Sequence, residues 1–165
     1  MIRACTQDDL TAVCAIINDA AQAYKGVIPV DRWHEPYMPL AELVHEIERG
    51  VVFWGVEADG ELVGVMGMQD RGEVELIRHA YVRTRSRAQG IGSELLRHLE
   101  RLSAKPMLIG TWVDALWAIR FYEKHGYRVL GRSETEALLK KYWTIPERQI
   151  STSVVLAGPG WKSAY

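Results

Sequence analysis

The chain has 165 residues, 48% hydrophobic and 25% charged, enough for one domain with a proper core. A formal net charge of −1 gives no reason to expect nucleic-acid binding, and no apolar run approaches the ~18 residues of a membrane span. The N-terminus shows no secretory pattern, and the two cysteines, Cys5 and Cys14, make neither a disulfide framework nor a metal site, so a cytoplasmic protein without a metal is expected.

In chain order, Ile2–Cys5 reads as a first strand. Thr6 and Asp9 form a near capping box for a helix that carries Leu10, Val13, Cys14, Ile17, Ala21 and Tyr24 on one face and stops at Gly26. Residues 27–39, VIPVDRWHEPYMP, are irregular, because three prolines forbid long regular structure. This loop carries Trp33, His34 and Tyr37, which either fold into the core or form a substrate-facing wall. Pro39 opens a second helix with Leu40, Leu43, Val44 and Ile47 on its face, and Gly50 follows it. Val51–Glu57 and Glu61–Met68 are strands joined by Asp59-Gly60, the strongest short hairpin signal.

Glu73–Val82 reads as a buried strand. A basic loop follows, with Arg83, Arg85 and Arg87, then the tight turn Gly90-Ile91-Gly92. The helix after it places Ile91, Leu95, Leu99 and Leu102 on one face. Such a strand, loop, glycine turn and helix can hold phosphates: first-turn N–H groups are unpaired, the helix end is partially positive, and glycine admits close approach. No lysine follows Gly92 as a P-loop needs, and Leu95 stands where a dinucleotide fingerprint needs its third glycine.

Met107–Val113 is the next strand. Asp114 is positioned to cap a helix reaching Lys124 or His125, with Gly126 just past its end. Tyr127–Leu130 is a short strand. Ser133–Tyr142 reads as either a helical turn or a loop. Ile150–Ala157 is a final strand, and Gly158–Tyr165 a loose tail. Residues 1–157 are expected to be one domain and 158–165 a C-terminal tail. The order β-α-α-β-β-β-α-β-α-β-β implies an α/β (α+β) fold, a mixed central sheet of about six to seven strands flanked by helices.

Two segments carry a family resemblance. Arg87-Ala88-Gln89-Gly90-Ile91-Gly92 resembles the Arg/Gln-x-x-Gly-x-Gly/Ala motif of the GCN5-related N-acetyltransferases. Ala118-Ile119-Arg120-Phe121-Tyr122-Glu123-Lys124-His125-Gly126-Tyr127 is similar to that family's later Ala-x3-Tyr-x3-Gly-Phe/Tyr segment. One departure is Ala115, where many members have Asn. The resemblance spans Ile2–Ala157 in element order, with its motifs confined to residues 76–127.

The resemblance implies an acyl-CoA N-acyltransferase-type fold, whose two central parallel strands, here Glu73–Val82 and Met107–Val113, splay to admit the pantetheine arm. It implies acetyl-CoA as co-substrate, its pyrophosphate gripped by Arg87, Ala88 and the backbone of Gln89, Gly90, Ile91, Gly92 and Ser93. Tyr81 and Val82 would pair with the pantetheine arm, with the Val82 amide as oxyanion donor. Tyr122 would protonate the departing thiolate; by itself, a tyrosine on a packed helix is more often structural. The implied reaction is direct attack of a small-molecule or peptide amine in a ternary complex. A non-catalytic acyl-CoA-binding or sensing domain of the same fold is the alternative, and a homodimer is compatible with either.

The amine needs a base, since an alkylamine holds its proton up to about pH 10.4. Glu75 and His79 are the candidates. Strict alternation along their strand puts them on one face. A half-buried glutamate can have a raised pKa, and histidine titrates in the right range. Alternatively Glu75 pairs with Arg78 and His79 merely packs, and a water chain serves.

Overall fold

In the computed structural model, which describes residues 1–163, the chain is organised by a seven-stranded sheet. The strands are β1 (Ile2–Ala4), β2 (Val51–Ala58), β3 (Glu61–Asp70), β4 (Glu75–Val82), β5 (Met107–Trp112), β6 (Arg128–Val129) and β7 (Ser153–Ala157), in the order β1-β2-β3-β4-β5-β7-β6. All neighbours are antiparallel except β4 and β5. The helices are α1 (Leu10–Ala20), α2 (Leu40–Glu48), α3 (Ile91–Leu102), α4 (Leu116–Lys124), α5 (Arg132–Tyr142) and α6 (Glu147–Ser151).

The β2–β3 hairpin closes through Asp59 and Gly60, both at positive φ (52° and 79°), as a tight two-residue connection requires. The register that follows sets which residues meet the helices. Met66, Ile77 and Ile109 pack with Leu95, Leu96 and Leu99 of α3. Val51, Phe53 and Val65 pack against Val13, Ile16 and Ile17 of α1 and Leu43 of α2. Each of the three α3 leucines is fully buried, which stabilises the fold by about 1.5–3 kcal/mol apiece. α3 can sit this close because β3 carries Gly64, where a Cβ would come within 2.6 Å of the Ile91 side chain.

Several boundaries depart from the sequence expectations. The first helix does not run evenly to Gly26: after Ala20 it tightens into a 3-10 turn over Ala21–Tyr24, which carries Tyr24 toward the centre of the sheet. Ser133–Tyr142, readable either way, lies in an eleven-residue helix, α5, whose Leu138, Leu139 and Tyr142 are buried against Leu76, Leu108 and Val155. The last strand begins at Ser153, not Ile150. Pro146 instead starts the short helix α6, and Ile150 is buried from there. Asp114 provides no side-chain cap for α4, whose N-cap is Ala115; the Asp114 carbonyl accepts the Leu116 N–H instead.

The expected loose tail is fastened as far as it is described. The Trp161 indole donates to Glu134 at 3.1 Å, the Ser163 hydroxyl donates to the same carboxylate at 2.9 Å, and Arg128 donates to the Trp161 carbonyl at 3.0 Å. Residues 164–165 lie outside the described residues.

Candidate functional site

The site begins with a break in strand pairing. β4 and β5 pair in parallel over only three residues, Glu75↔Met107 to Ile77↔Ile109, and then separate. The cause is local. A β-bulge against β3 falls between Arg78 and Tyr81, and His79 there has φ +53°. A bulge bends its strand and increases the twist, which carries β4 away from β5. Gly67 allows it: a Cβ there would meet Val51 at 2.8 Å and the Arg78 carbonyl at 2.9 Å.

The bulge also overturns the expected alternation. Arg78 and His79 both turn toward α2, where Arg78 lies 3.0 Å and His79 3.5 Å from the same Glu46 oxygen. Ile77 packs with α3 on the other face, and Glu75, two residues before it, shares that side. Glu75 and His79 therefore do not share a face. Beyond the bulge, the Arg83 N–H donates to Val63 at 2.8 Å, so the preceding residue, Val82, turns its N–H to the opposite, unpaired edge.

At the open end lies a cleft of about 620 Å³, within the range of small-molecule sites. Its floor is Tyr81 and Val82. Its rim is Arg87, Ala88, Gly90, Ile91, Gly92 and Ser93; Gln89 is not on the wall. Ala88 (φ +62°) and Gly90 (φ +77°) both take the left-handed conformation that wraps the loop around the start of α3. No side chain caps that helix, and a Cβ on Gly90 would point into open space. The first-turn amides of α3 thus face the cleft uncapped, with the partial positive charge of the helix end behind them. This fits the diphosphate of an acyl-CoA, with room beyond it for a long arm.

The basic cluster is mostly committed elsewhere. Arg78 binds Glu46, Arg85 pairs with Glu61 at 2.6 Å, and Arg83 donates to the Leu62 carbonyl at 2.9 Å. Arg87 donates only to the Ala20 carbonyl at 3.3 Å and makes no ion pair among the described residues. Ser93, on the rim, shares a 2.9 Å hydrogen bond with His125.

Tyr122 stands at the inner end of the cleft. α4 closes in a Schellman arrangement: the Tyr127 N–H reaches the Tyr122 carbonyl at 3.1 Å and the Gly126 N–H reaches Glu123 at 3.0 Å, with Gly126 at φ +90°. Tyr122 is 5% exposed. Burial, then the neighbouring Tyr24 and Tyr127, pushes its phenol far above the usual range, so it stays protonated at every working pH. The hydroxyl makes no hydrogen bond among the described residues. Ala115, at the departure from the family pattern, is fully buried beside Ile28 and Trp112.

A second, smaller cavity of about 140 Å³ opens between the splayed strands. It shares Tyr24, Ala80, Tyr81, Ala118 and Tyr122 with the cleft, so the two adjoin along these residues. His79 lies on its wall. Burial pushes His79 below its ordinary pKa, with Glu46 opposing, and leaves it neutral. Glu75 lies on the wall of neither cavity. Its N–H is bonded to Pro106 at 3.0 Å at the closed end of β4 and β5, and burial raises its carboxyl there, with Asp70 adding. Tyr37 lines the smaller cavity, Trp33 packs behind it at 5.7 Å, and His34 is exposed.

Other wall residues carried no functional reading in the sequence: Thr111 and Trp112 of β5, Trp143 after α5, and Gln149 of α6. They come together only through the sheet order. Trp143 reaches the cavity by lying over Gly110, 3.1 Å from where a Cβ would stand. Tyr24, assigned only to a helix face, is nearly buried and in ring contact with Tyr37, Tyr81 and Trp117. Among the described residues, no three histidines, cysteines or acids stand close enough to hold a metal ion, and no helix is long and apolar enough to cross a membrane.

A mixed seven-stranded sheet with splayed central parallel strands and helices on its faces defines the acyl-CoA N-acyltransferase-type fold. Residues 49–129 match the acetyltransferase (GNAT) domain family. That match places residues 49–129 in the GCN5-related N-acetyltransferase superfamily, and the fold of the chain agrees with it. No curated protein matches it by sequence. Similar solved structures include the PaiA N-acetyltransferase of Thermoplasma acidophilum in complex with coenzyme A, at 18% identity and a TM-score of 0.72 over 96% of this chain and 97% of that one. A GNAT-family acetyltransferase of Staphylococcus aureus Mu50 is 17% identical, with a TM-score of 0.70 over 96% and 97%. The ribosomal-protein-S18-alanine N-acetyltransferase of Escherichia coli is 17% identical, with a TM-score of 0.66 over 99% and 96%. At these identities the likeness is one of fold.

Proposed function

We propose that this protein is an acetyl-CoA-dependent N-acetyltransferase that moves the acetyl group to a primary amine by direct attack in a ternary complex. The observation that carries this reading is the meeting of two cavities at Tyr122, one edged by uncapped helix amides and the other lined by His79. Acetyl-CoA, as co-substrate, supplies the acyl carbon on a thioester; the N–C bond forms as the C–S bond breaks.

The Ile91, Gly92 and Ser93 amides and Arg87 hold the diphosphate. The Val82 N–H, on the unpaired edge of β4, donates to the oxygen that gains charge as the amine adds. His79, neutral and buried, takes the amine's proton directly or through a water. Tyr122, held protonated, delivers its proton to the leaving sulfur. No protein nucleophile is needed: burial raises both cysteine thiols and neither lines the cleft.

Thermal shift with acetyl-CoA, ATP and NAD tests the donor, with a rise in midpoint expected only for acetyl-CoA. Thiol release with a panel of amines tests catalysis. Binding without turnover on any amine would leave the non-catalytic acyl-CoA-binding or sensing role. Equal stabilisation by ATP would overturn the donor assignment.

A further inference from the structure

We propose that the acceptor is a small amine carrying its own acid group, of the amino-carboxylate class, and that Arg32 binds that acid. This rests on the acetyltransferase reading for what becomes of the amine, but the recognition argued here is a matter of charge and can be measured without turnover.

The wall of the smaller cavity is rich in donors and carries no aspartate or glutamate among the described residues. The Tyr37 phenol is set to give its proton. Trp112, whose indole can only donate, gives its N–H to the Tyr37 oxygen at 3.2 Å, which leaves the Tyr37 O–H free for a ligand. Burial raises the Tyr24, Tyr37 and Tyr81 phenols, so none supplies a negative charge. Of the carboxylates behind the wall, Glu46 is taken by Arg78 and faces His79, and Glu42 acts on Tyr37 and His79 from outside the lining. A second ammonium on the acceptor would be desolvated here with no counter-charge on the wall itself, and an unpaired buried charge is heavily penalised.

Arg32 supplies the opposite. It sits in the 3-10 turn Val30–Arg32 and reaches across to α6, where its Nη2 donates to Gln149, a wall residue, at a long 3.5 Å. Its charge acts on the Tyr37 phenol, which also lines the cavity, against that of Glu42. Arg32 makes no ion pair among the described residues, and its Nε is buried without a partner. Its neighbour Asp31 is engaged by Arg148 at 3.1 Å and so does not neutralise it. An arginine fork with a buried free N–H beside a donor-lined cavity matches a carboxylate.

Size points the same way. About 140 Å³ is close to the ~150 Å³ of a cavity that takes one benzene ring. The Asp31–Arg148 and Arg32–Gln149 contacts tie the 30–32 turn to α6 at this rim. A free amino acid with a single-ring or branched side chain fits such a space.

The test uses matched probes on protein saturated with coenzyme A: L-leucine, L-leucinamide and isopentylamine; L-phenylalanine, phenylalaninamide and phenethylamine; and putrescine. Calorimetric titration is expected to give at least tenfold tighter binding for each amino acid than for its amide or decarboxylated partner, with putrescine weakest. Arg32→Gln is expected to erase that preference, and Arg32→Lys to retain part of it. Neither should change coenzyme A affinity, and thermal midpoints serve as the folding control. Equal or tighter binding of the amines lacking the acid, or of putrescine, overturns the proposal, as does an unchanged preference in Arg32→Gln or a failure of every probe to bind. Failure of coenzyme A itself to bind is a separate result that strikes the acetyltransferase reading. Amino acids that bind without thiol release would uphold the recognition and refute the catalysis.

Discussion

Glu75 and His79 lie four residues apart on β4 and yet face opposite sides of the sheet, because the bulge at His79 adds a residue to the count. That displacement removes Glu75 from both cavities and puts His79 on the wall of the smaller one. It also yields a pH signature. The folded-state pKa of His79 lies below its ordinary 6.5. Above pH 6.5 both folded and unfolded chains keep it neutral, and it contributes no pH dependence. As pH falls through 6.5, the unfolded chain takes up the proton first, and stability is lost. His79→Gln should therefore lessen the fall in thermal midpoint between pH 6.5 and 5 relative to the parent. It should also flatten the acid limb of kcat/KM. Parallel midpoint curves in that window would count against the buried neutral state.

Tyr122→Phe removes only the hydroxyl, which has no hydrogen bond to lose among the described residues. Stability should therefore hold to within about 0.5 kcal/mol. Turnover should fall by about 100-fold or more, in the range of a lost general acid, with acetyl-CoA affinity unchanged. Because its phenol is pushed far upward by burial, Tyr122 should contribute no alkaline limb to the rate below pH 10. Steady-state kinetics and direct titration of acetyl-CoA separate the two effects.

Gly90→Ala places a Cβ at φ +77° in otherwise open space. The left-handed conformation costs about 1–2 kcal/mol, and the methyl projects where a diphosphate would approach the α3 amides. The midpoint should drop modestly, while the stabilisation conferred by acetyl-CoA should shrink sharply. An intact ligand shift in thermal denaturation would show that the loop is not used.

Gly67→Ala tests the bulge itself. Its Cβ would fall 2.8 Å from Val51 and 2.9 Å from the Arg78 carbonyl, so backbone must move. Overpacking of this kind costs typically about 1–3 kcal/mol. Denaturant unfolding should register that loss, and acceptor KM should rise, since Arg78 and His79 hang from the same bulge.

The glycine loop ahead of α3 was legible in the sequence, because glycine punctuation and a run of helical spacing are local signals. Arg87, Gly90 and Gly92 could be placed from their neighbours alone, as could the Asp59-Gly60 hairpin and the glycine stop after α4. The same local logic failed at His79. Alternation counts residues, and nothing in Arg78-His79-Ala80 announces an extra one; the room for it comes from Gly67 on the next strand. It failed again at Ser133–Tyr142, where weak periodicity hides a helix held by burial against β5 and β7.

Sequence alone determined the elements whose causes lie within a few residues: turns, glycine stops, amphipathic faces and the glycine-bounded start of α3. Tertiary structure decided what has long-range causes. Tyr24, Tyr37, Trp112, Trp143 and Gln149 share one cavity only because β4 and β5 part there and because the 30–32 turn meets α6 across 117 positions of chain. Residues that far apart become neighbours through strand order and bulge geometry, which are set by packing over the whole sheet and not by local spacing.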